Sequence, residues 1–581
     1  MSAKEKKQKP AAGKQSWKQL FRFYKQVKIP WVMLVLVMFM SLAMKEVESR
    51  LVPYSSKIMT GAIADNGFLI GFILMTLLYG FTEAVQGAVG ELSSQMTTRN
   101  VRHSVWGKLL RLPMSFFEGR DSQSLVSRVT QDTTGAYAAL AVLVQFISLI
   151  YGVYTNFMKM YATYKSLALI MLTGIPITML ASWVMGKLQY KVNEISNSSM
   201  SAITNFFAER LPNILRIKTA SMEDEEYQKG IAANEARYRA EIRQEKRFIF
   251  IAPIGSFAQY VNEIVLLLVA SALVRAGSMK MFQLVNLFNY YMLFMGNAYM
   301  ISAVWQLLKG AQGSCATIAA IADMEDEDLT SGEALTSAAG DLTGENLSFA
   351  YDDRQPVLNG VSFTIPQGKI TAIVGENGCG KSTLIKLLEQ FHRQQEGSLC
   401  LNGQPLENIR LEDWRERVGY LFQGNQIIKG TIRENIAYGV HREFTQEELE
   451  EAARQALAYD FIMTKEQGFD TEISRFDTKC SGGEMQRLAI ARVILKQPDI
   501  LIMDEATSGI DIVSEHEVME ALMHVMEGKT VIMVSHDMEL IRRADNVIVL
   551  RDGRVEASGT FAEVSVDSPL MQDFIKKGEC A

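Results

Sequence analysis

Gly375-Glu376-Asn377-Gly378-Cys379-Gly380-Lys381-Ser382 fits the pattern G-x-x-x-x-G-K-[ST], and its flanks decide how the chain is read. The apolar run Ile370 to Val374 precedes it and a helix-like run, Thr383 to Leu388, follows it. Strand, glycine-rich loop and helix in that order make a phosphate cradle. Backbone N–H groups close around phosphate oxygens and the helix N-terminus adds a positive dipole. Lys381 is placed to reach the β- and γ-phosphates, and Ser382 to hold Mg²⁺.

Further along, the apolar run Ile500 to Met503 ends in Asp504 and Glu505. Asp504 is the candidate Mg²⁺ partner, through Ser382 or water, and Glu505 the candidate base that polarises the attacking water. An acidic strand end alone is common; one downstream of a phosphate loop reads as functional. Between the two lies Cys480-Ser481-Gly482-Gly483-Glu484-Met485-Gln486-Arg487, which opens an amphipathic helix running to about Leu495. Taken singly, Ser481, Gly482 and Gly483 are an ordinary turn and N-cap. They are also a second anion-binding helix start. One nucleotide cannot fill two such cradles in one small domain, so this surface is expected to close on a nucleotide held by another copy. His536 follows the apolar strand Thr530 to Val534, within reach of a γ-phosphate, although a lone histidine there is more often structural.

Upstream the composition changes. Six apolar runs, near Ile29–Val52, Phe68–Val89, Ala136–Met158, Leu167–Met185, Phe248–Val274 and Leu284–Val304, are each long enough for a bilayer core of about 30 Å. The long segments joining runs two to three and four to five are rich in cations, including Arg99, Arg102, Arg128, Lys187, Arg216 and Arg243, whereas the short links hold few. The positive-inside rule then puts both termini, both long segments and the phosphate-binding domain in the cytoplasm of a cell-membrane, multi-pass protein. Ser16 to Lys25 reads as an elbow helix at the inner interface, and the Lys-rich residues before it as a disordered tail. Within the spans, Asn286, Asn289, Tyr290 and Asn297 recur on one face of the sixth, toward an aqueous cavity or a partner helix. Glu83 and Glu263 (with Glu46) are carboxylates in or near apolar runs, which are costly and face a cavity or a partner. They are candidates for a substrate path favouring cationic cargo, or for a structural role.

The 581 residues carry a net charge of −6, with no basic stripe interleaved with aromatics in the second half, so nucleic acid is not an expected partner. The five cysteines show no zinc-ligand spacing and read as reduced thiols. Alkylation of Cys379, inside the loop, is expected to inhibit, with ATP protecting. The fold class expected is multidomain: residues 1–15 a tail, 16–323 a six-helix transmembrane α domain with its elbow, 324–340 a linker, and 341–581 an α/β P-loop ATPase domain.

The order and spacing of these motifs resemble an ATP-binding cassette exporter of the half-transporter kind, over nearly the whole chain after the tail. The resemblance implies ATP and Mg²⁺ as cofactors and roles for particular residues. Tyr351 resembles the adenine-stacking aromatic, and Gly375 to Ser382 with Thr383 the Walker A loop. Gln423 resembles the Q-loop residue that touches Mg²⁺. Asp504 and Glu505 resemble Walker B and the catalytic carboxylate, Ser508 to Asp511 the D-loop, and His536 the switch histidine. Phe116-Phe117-Glu118 and the stretch Glu209 to Lys218 resemble intracellular loops carrying coupling helices. Ser481, Gly482 and Gly483 keep the family signature, but Cys480 and Glu484 replace its usual Leu and Gln. The partner implied is a second copy of the chain or a related half-transporter, in a lipid bilayer. The cargo is a small amphipathic, drug-like, lipid or peptide molecule. A lipid flippase, a metabolite importer and an ATP-gated channel remain alternatives.

Overall fold

The computed structural model describes residues 22–61, 66–118, 125–126, 129–130, 133–172, 176, 200, 202–351, 355–422, 427–474, 480–504 and 512–578. The chain separates into two compact units.

The first unit is helical. Its described helices are α1 (Trp31–Met59), α2 (Asn66–Leu109), α4 (Thr133–Thr163), α5 (Lys165–Met171), α6 (Ile214–Thr219), α7 (Glu223–Arg275) and α8 (Met281–Ala322); α3 (Met114–Phe117) belongs to the other unit. Five of the six expected spans lie within or across α1, α2, α4, α7 and α8. The fourth, near Leu167–Met185, begins in α5, and most of it lies outside the described residues. Among the described residues, α2 and α4 are long and apolar enough to cross a membrane, each holding an 18-residue stretch of mean hydropathy 1.9 and 2.0 respectively. The apolar face of α2 is turned outward: Leu74, Leu77 and Phe81 are exposed. In water such a face is a liability, whereas against lipid tails it costs nothing. The 44 residues of α2 and 42 of α8 make rods of roughly 63–66 Å at 1.5 Å per residue, about twice a bilayer core.

Small residues let these helices approach. The buried positions of α1 are Leu34, Ser41, Ser49, Val52 and Ser56, one stripe along the helix. On α4, a Cβ at Gly152 would meet Asn297 Nδ2 of α8 at 2.9 Å and Lys45 Cδ of α1 at 3.2 Å, so a larger residue there would have to displace both side chains. Phe23 and Tyr24 of the elbow are buried, and the Tyr24 hydroxyl donates to the Ala136 carbonyl at 2.7 Å. These rings pack against the unit's own helices.

The second unit gathers residues from Asp326 onward together with α3. Its strands are β1 (Leu342–Phe349), β2 (Leu358–Ile365), β3 (Ile370–Gly375), β4 (Glu396–Leu401), β5 (Gln404–Pro405), β6 (Val418–Leu421), β7 (Gly430–Thr431), β8 (Glu472–Ile473), β9 (Ile500–Asp504), β10 (Thr530–Val534), β11 (Asn546–Arg551) and β12 (Arg554–Gly559). A four-stranded sheet has the order β2-β1-β4-β5, a six-stranded sheet the order β12-β11-β3-β10-β9-β6, and β7 pairs with β8. In the six-stranded sheet every neighbouring pair is parallel except β11 with β12. Its central strands read as unbroken apolar runs because both faces are covered. Leu501, Met503, Val531 and Met533 enter one core, while Ile500, Ile502, Ile532 and Val534 enter the other.

Candidate nucleotide site

The parallel register lines up the carboxyl ends of four strands. Ile373 of β3 pairs with Val534 of β10, Val534 with Asp504 of β9, and Met503 with Leu421 of β6. This edge is where open α/β sheets take ligands, because loops diverge there and helix N-termini point into the gap. It brings together the phosphate loop after β3, Asp504, and His536 two residues beyond β10. Gln423, Glu505 and Asp511 lie outside the described residues.

The loop's shape demands its glycines. A Cβ at Gly375 would collide with the Leu550 carbonyl and the Cys379 sulfur, and one at Gly380, which has φ +110°, would sit 2.7 Å from Leu358 Cδ2. From Gly380 the chain enters α9 (Lys381–Leu388), which starts two residues earlier than the apolar pattern implied. Lys381 is 7 % exposed, and its Nζ donates to the carbonyls of Gly375 at 2.7 Å and Glu376 at 3.0 Å. Glu376, Asn377, Gly378 and Ser382 are exposed around this ammonium. Thr383 is buried, with Oγ1 3.3 Å from the Tyr351 hydroxyl. Cys379 is buried beneath the loop; burial pushes its thiol up, against the opposing pull of Lys381. Iodoacetamide at neutral pH is therefore expected to modify Cys379 more slowly than half-buried Cys400. Mass-spectrometric labelling kinetics check this; equal rates contradict it.

The site suits a Mg²⁺–nucleotide. An exposed hydroxyl at Ser382 and a half-buried carboxylate at Asp504 are hard oxygen donors, and the open space above Gly378 admits phosphate to the backbone N–H groups. Bound there, Mg²⁺ supplies charge neutralisation on the phosphates.

Ser481 caps α10 (Gly482–Lys496) in a capping box: its Oγ accepts the Glu484 N–H at 3.2 Å, while Glu484 Oε2 accepts the Ser481 N–H at 2.7 Å. Ser481 and Gly482 are exposed and Gly483 is buried. The box explains the departure at Glu484: glutamate caps an N-terminus as well as glutamine does, and adds a negative charge. His536 is exposed, with its ring 6.3 Å from that of Phe574.

In the helical unit, the polar face of α8 meets partner helices. Asn289 Nδ2 donates to Ser56 Oγ of α1 at 3.2 Å, Asn297 Nδ2 donates to the Leu293 carbonyl at 2.8 Å, and Asn286, Tyr290 and Asn297 are buried. Glu83 is exposed on α2, while Glu263 has a buried Oε2 without a hydrogen-bond partner. Sequence reasoning missed the partners of Glu46. Its Oε1 accepts from Arg50 Nε at 2.7 Å and Lys159 Nζ at 3.3 Å, and Lys45 pairs with Glu48 at 2.9 Å. Glu46 is thus paired with two cations rather than offered bare to a cationic cargo. The i,i+4 spacing of Glu46 and Arg50 was a readable signal.

A helical membrane unit and a P-loop unit joined in one polypeptide define a class of transporter, and comparison with known proteins agrees. The family model described as “ABC transporter transmembrane region” matches residues 31–298, and the one described as “ABC transporter” matches 358–508. The chain belongs to the ATP-binding cassette transporters, as a multi-pass membrane protein with its ATPase in the same polypeptide. It is 29% identical over 495 residues to a multidrug resistance ABC transporter ATP-binding and permease protein of Lactococcus lactis subsp. lactis, covering 85% of this chain and 84% of that one. It is 28% identical over 498 residues to the ATP-dependent lipid A-core flippase of Salmonella typhimurium, covering 84% of each. Its fold matches the structure of a bacterial Atm1-family ABC exporter with ATP bound, with TM-score 0.81 and 22% identity, over 94% of this chain and 97% of that one.

Proposed function

We propose that the chain is an ATP-driven exporter that works as a dimer by alternating access, moving a small amphipathic, drug-like, lipid or peptide cargo out of the cytoplasm. The observation that carries this reading is the presence of two anion-binding devices in one ATPase unit: the glycine loop closed on Lys381, and the exposed helix start at Ser481 and Gly482. Each nucleotide lies between the Walker residues of one chain and the Ser481 region of its partner. Nucleotide stabilises the closed pair over the open one and so shifts the population toward it. Glu505 polarises the attacking water, His536 contacts the γ-phosphate, and Gln423, Ser382 and Asp504 hold Mg²⁺. Hydrolysis reopens the pair. The protein sits in the cell membrane with both termini and the ATPase unit in the cytoplasm.

Pairing with a different half-transporter is the second reading. It is favoured by Glu484, whose carboxylate lies at the helix start meant for phosphate. ATPase measured on the purified chain alone separates the two. A Glu505→Gln-sensitive rate is expected of the homodimer. An inert lone chain, regaining activity with a second half-transporter, overturns the homodimer. A native rate in Glu505→Gln overturns the assignment of the base.

A further inference from the structure

Beside the nucleotide loop, a carboxylate from a distant part of the sequence ties together the surroundings of Tyr351. Glu118, directly after α3, takes Lys386 Nζ on Oε1 at 2.7 Å and lies 2.9 Å through Oε2 from His392 Nε2. Lys386 is on α9, with its ammonium 5.6 Å from the centroid of the Tyr351 ring, and the His392 ring stands perpendicular to that ring at 5.3 Å. Phe349 completes a triangle of rings, 5.0 Å from Tyr351 and 5.1 Å from His392, and the Tyr351 hydroxyl lies 3.3 Å from Thr383 Oγ1. The side chains of His392, Glu118 and Lys386 are only 9%, 21% and 35% exposed. Burial alone would raise the Glu118 carboxyl, but Lys386 and His392 outweigh it and hold the group below the usual carboxylate range, so it stays charged.

We propose that Glu118, Lys386 and His392 are positioning residues for Tyr351, so that the seating of α3 sets how tightly the adenine ring is held. The proposal rests on reading Tyr351 as the adenine-stacking residue. Glu118 divides the Lys386 ammonium between an ion pair and the Tyr351 π-face and anchors the imidazole that props the ring's edge. A ring already fixed by four neighbours loses little freedom when a base stacks on it, whereas a loosened ring must be ordered at the expense of affinity.

Binding to the purified full chain tests this with two probes: MgATP, and inorganic tripolyphosphate, which has no base. Glu118→Gln and Lys386→Met are expected to weaken MgATP about fivefold and leave tripolyphosphate unchanged, with Glu118→Asp restoring part of the loss. Tyr351→Ala is expected to weaken MgATP, and adding Glu118→Gln to it to weaken it no further. Full additivity in that cycle overturns the inference, as does equal weakening of both probes. If Tyr351→Ala leaves MgATP affinity unchanged, it is the assignment of Tyr351 that fails. If Tyr351→Ala weakens binding while Glu118→Gln and Lys386→Met do not, only the positioning fails.

Discussion

Replacing Lys381 with alanine is expected to lower ATP hydrolysis by about 10²–10³-fold, the usual loss when a preorganised charge-stabilising group is removed from a reacting centre. The side chain is buried, and its ammonium is held against two carbonyls of its own loop. It is therefore already in place when phosphate arrives, and little reorganisation is needed. Without nucleotide those same bonds close the loop, the one to Gly375 buried and the one to Glu376 partly buried. Losing them should cost about 1–2 kcal/mol of stability, because removing Lys381 also removes the cost of holding its ammonium away from water. The effect on rate should thus far exceed the effect on melting. Steady-state ATPase measured alongside the apparent Tm checks both. A variant within threefold of the native rate shows that Lys381 does not carry the phosphate contact.

The second large effect concerns stability and pH. Glu389 follows α9 and is 7 % exposed, with Oε2 lacking a partner. Burial pushes its carboxyl up to about 8, with Arg415 opposing and Asp504 adding to the rise. The folded chain keeps this proton to about pH 8, while the unfolded chain releases it near the model-peptide value of 4.5. Between those values, raising the pH favours the unfolded chain, and above about pH 8 the loss is complete. The total is roughly 4–5 kcal/mol at about 1.4 kcal/mol per pH unit. Glu389→Gln keeps the shape and removes the proton. Without Mg²⁺ or nucleotide, it should melt close to the native chain at pH 5 and well above it at pH 9. A difference between variant and native that is the same at both pH values overturns the account.

Why one buried carboxyl escaped notice while the phosphate loop did not comes down to distance along the chain. The loop is local: strand, turn and helix are contiguous, so the run Thr530 to Val534 coincides with β10, and β3 and α10 end within a residue of where the apolar pattern stops. Glu389 looks like any polar residue at a helix end until β6 places Tyr420 against it. Glu118 was legible as part of Phe116-Phe117-Glu118, but its partners lie 268 and 274 positions away, and no periodicity spans such a gap. The membrane half shows the same division. Runs of apolar residues marked the helices, and the three- and four-residue steps from Asn286 marked one face of α8. Only packing showed that this face is buried, meeting α1 at Ser56, and that Lys159 neutralises Glu46 from 113 positions away.

The length of α7 has a mechanical meaning. Its 53 residues form a rod of roughly 80 Å. Tilting such a rod by about 5° swings its far end by about 7 Å, several times the sub-ångström adjustments that binding a phosphate requires. Pro253 stands inside it and donates no N–H, so the hydrogen-bond ladder has one weak rung near the middle. The helix is thus long enough to turn a small angular change into a large stroke, and the missing rung is the point at which bending it would cost least.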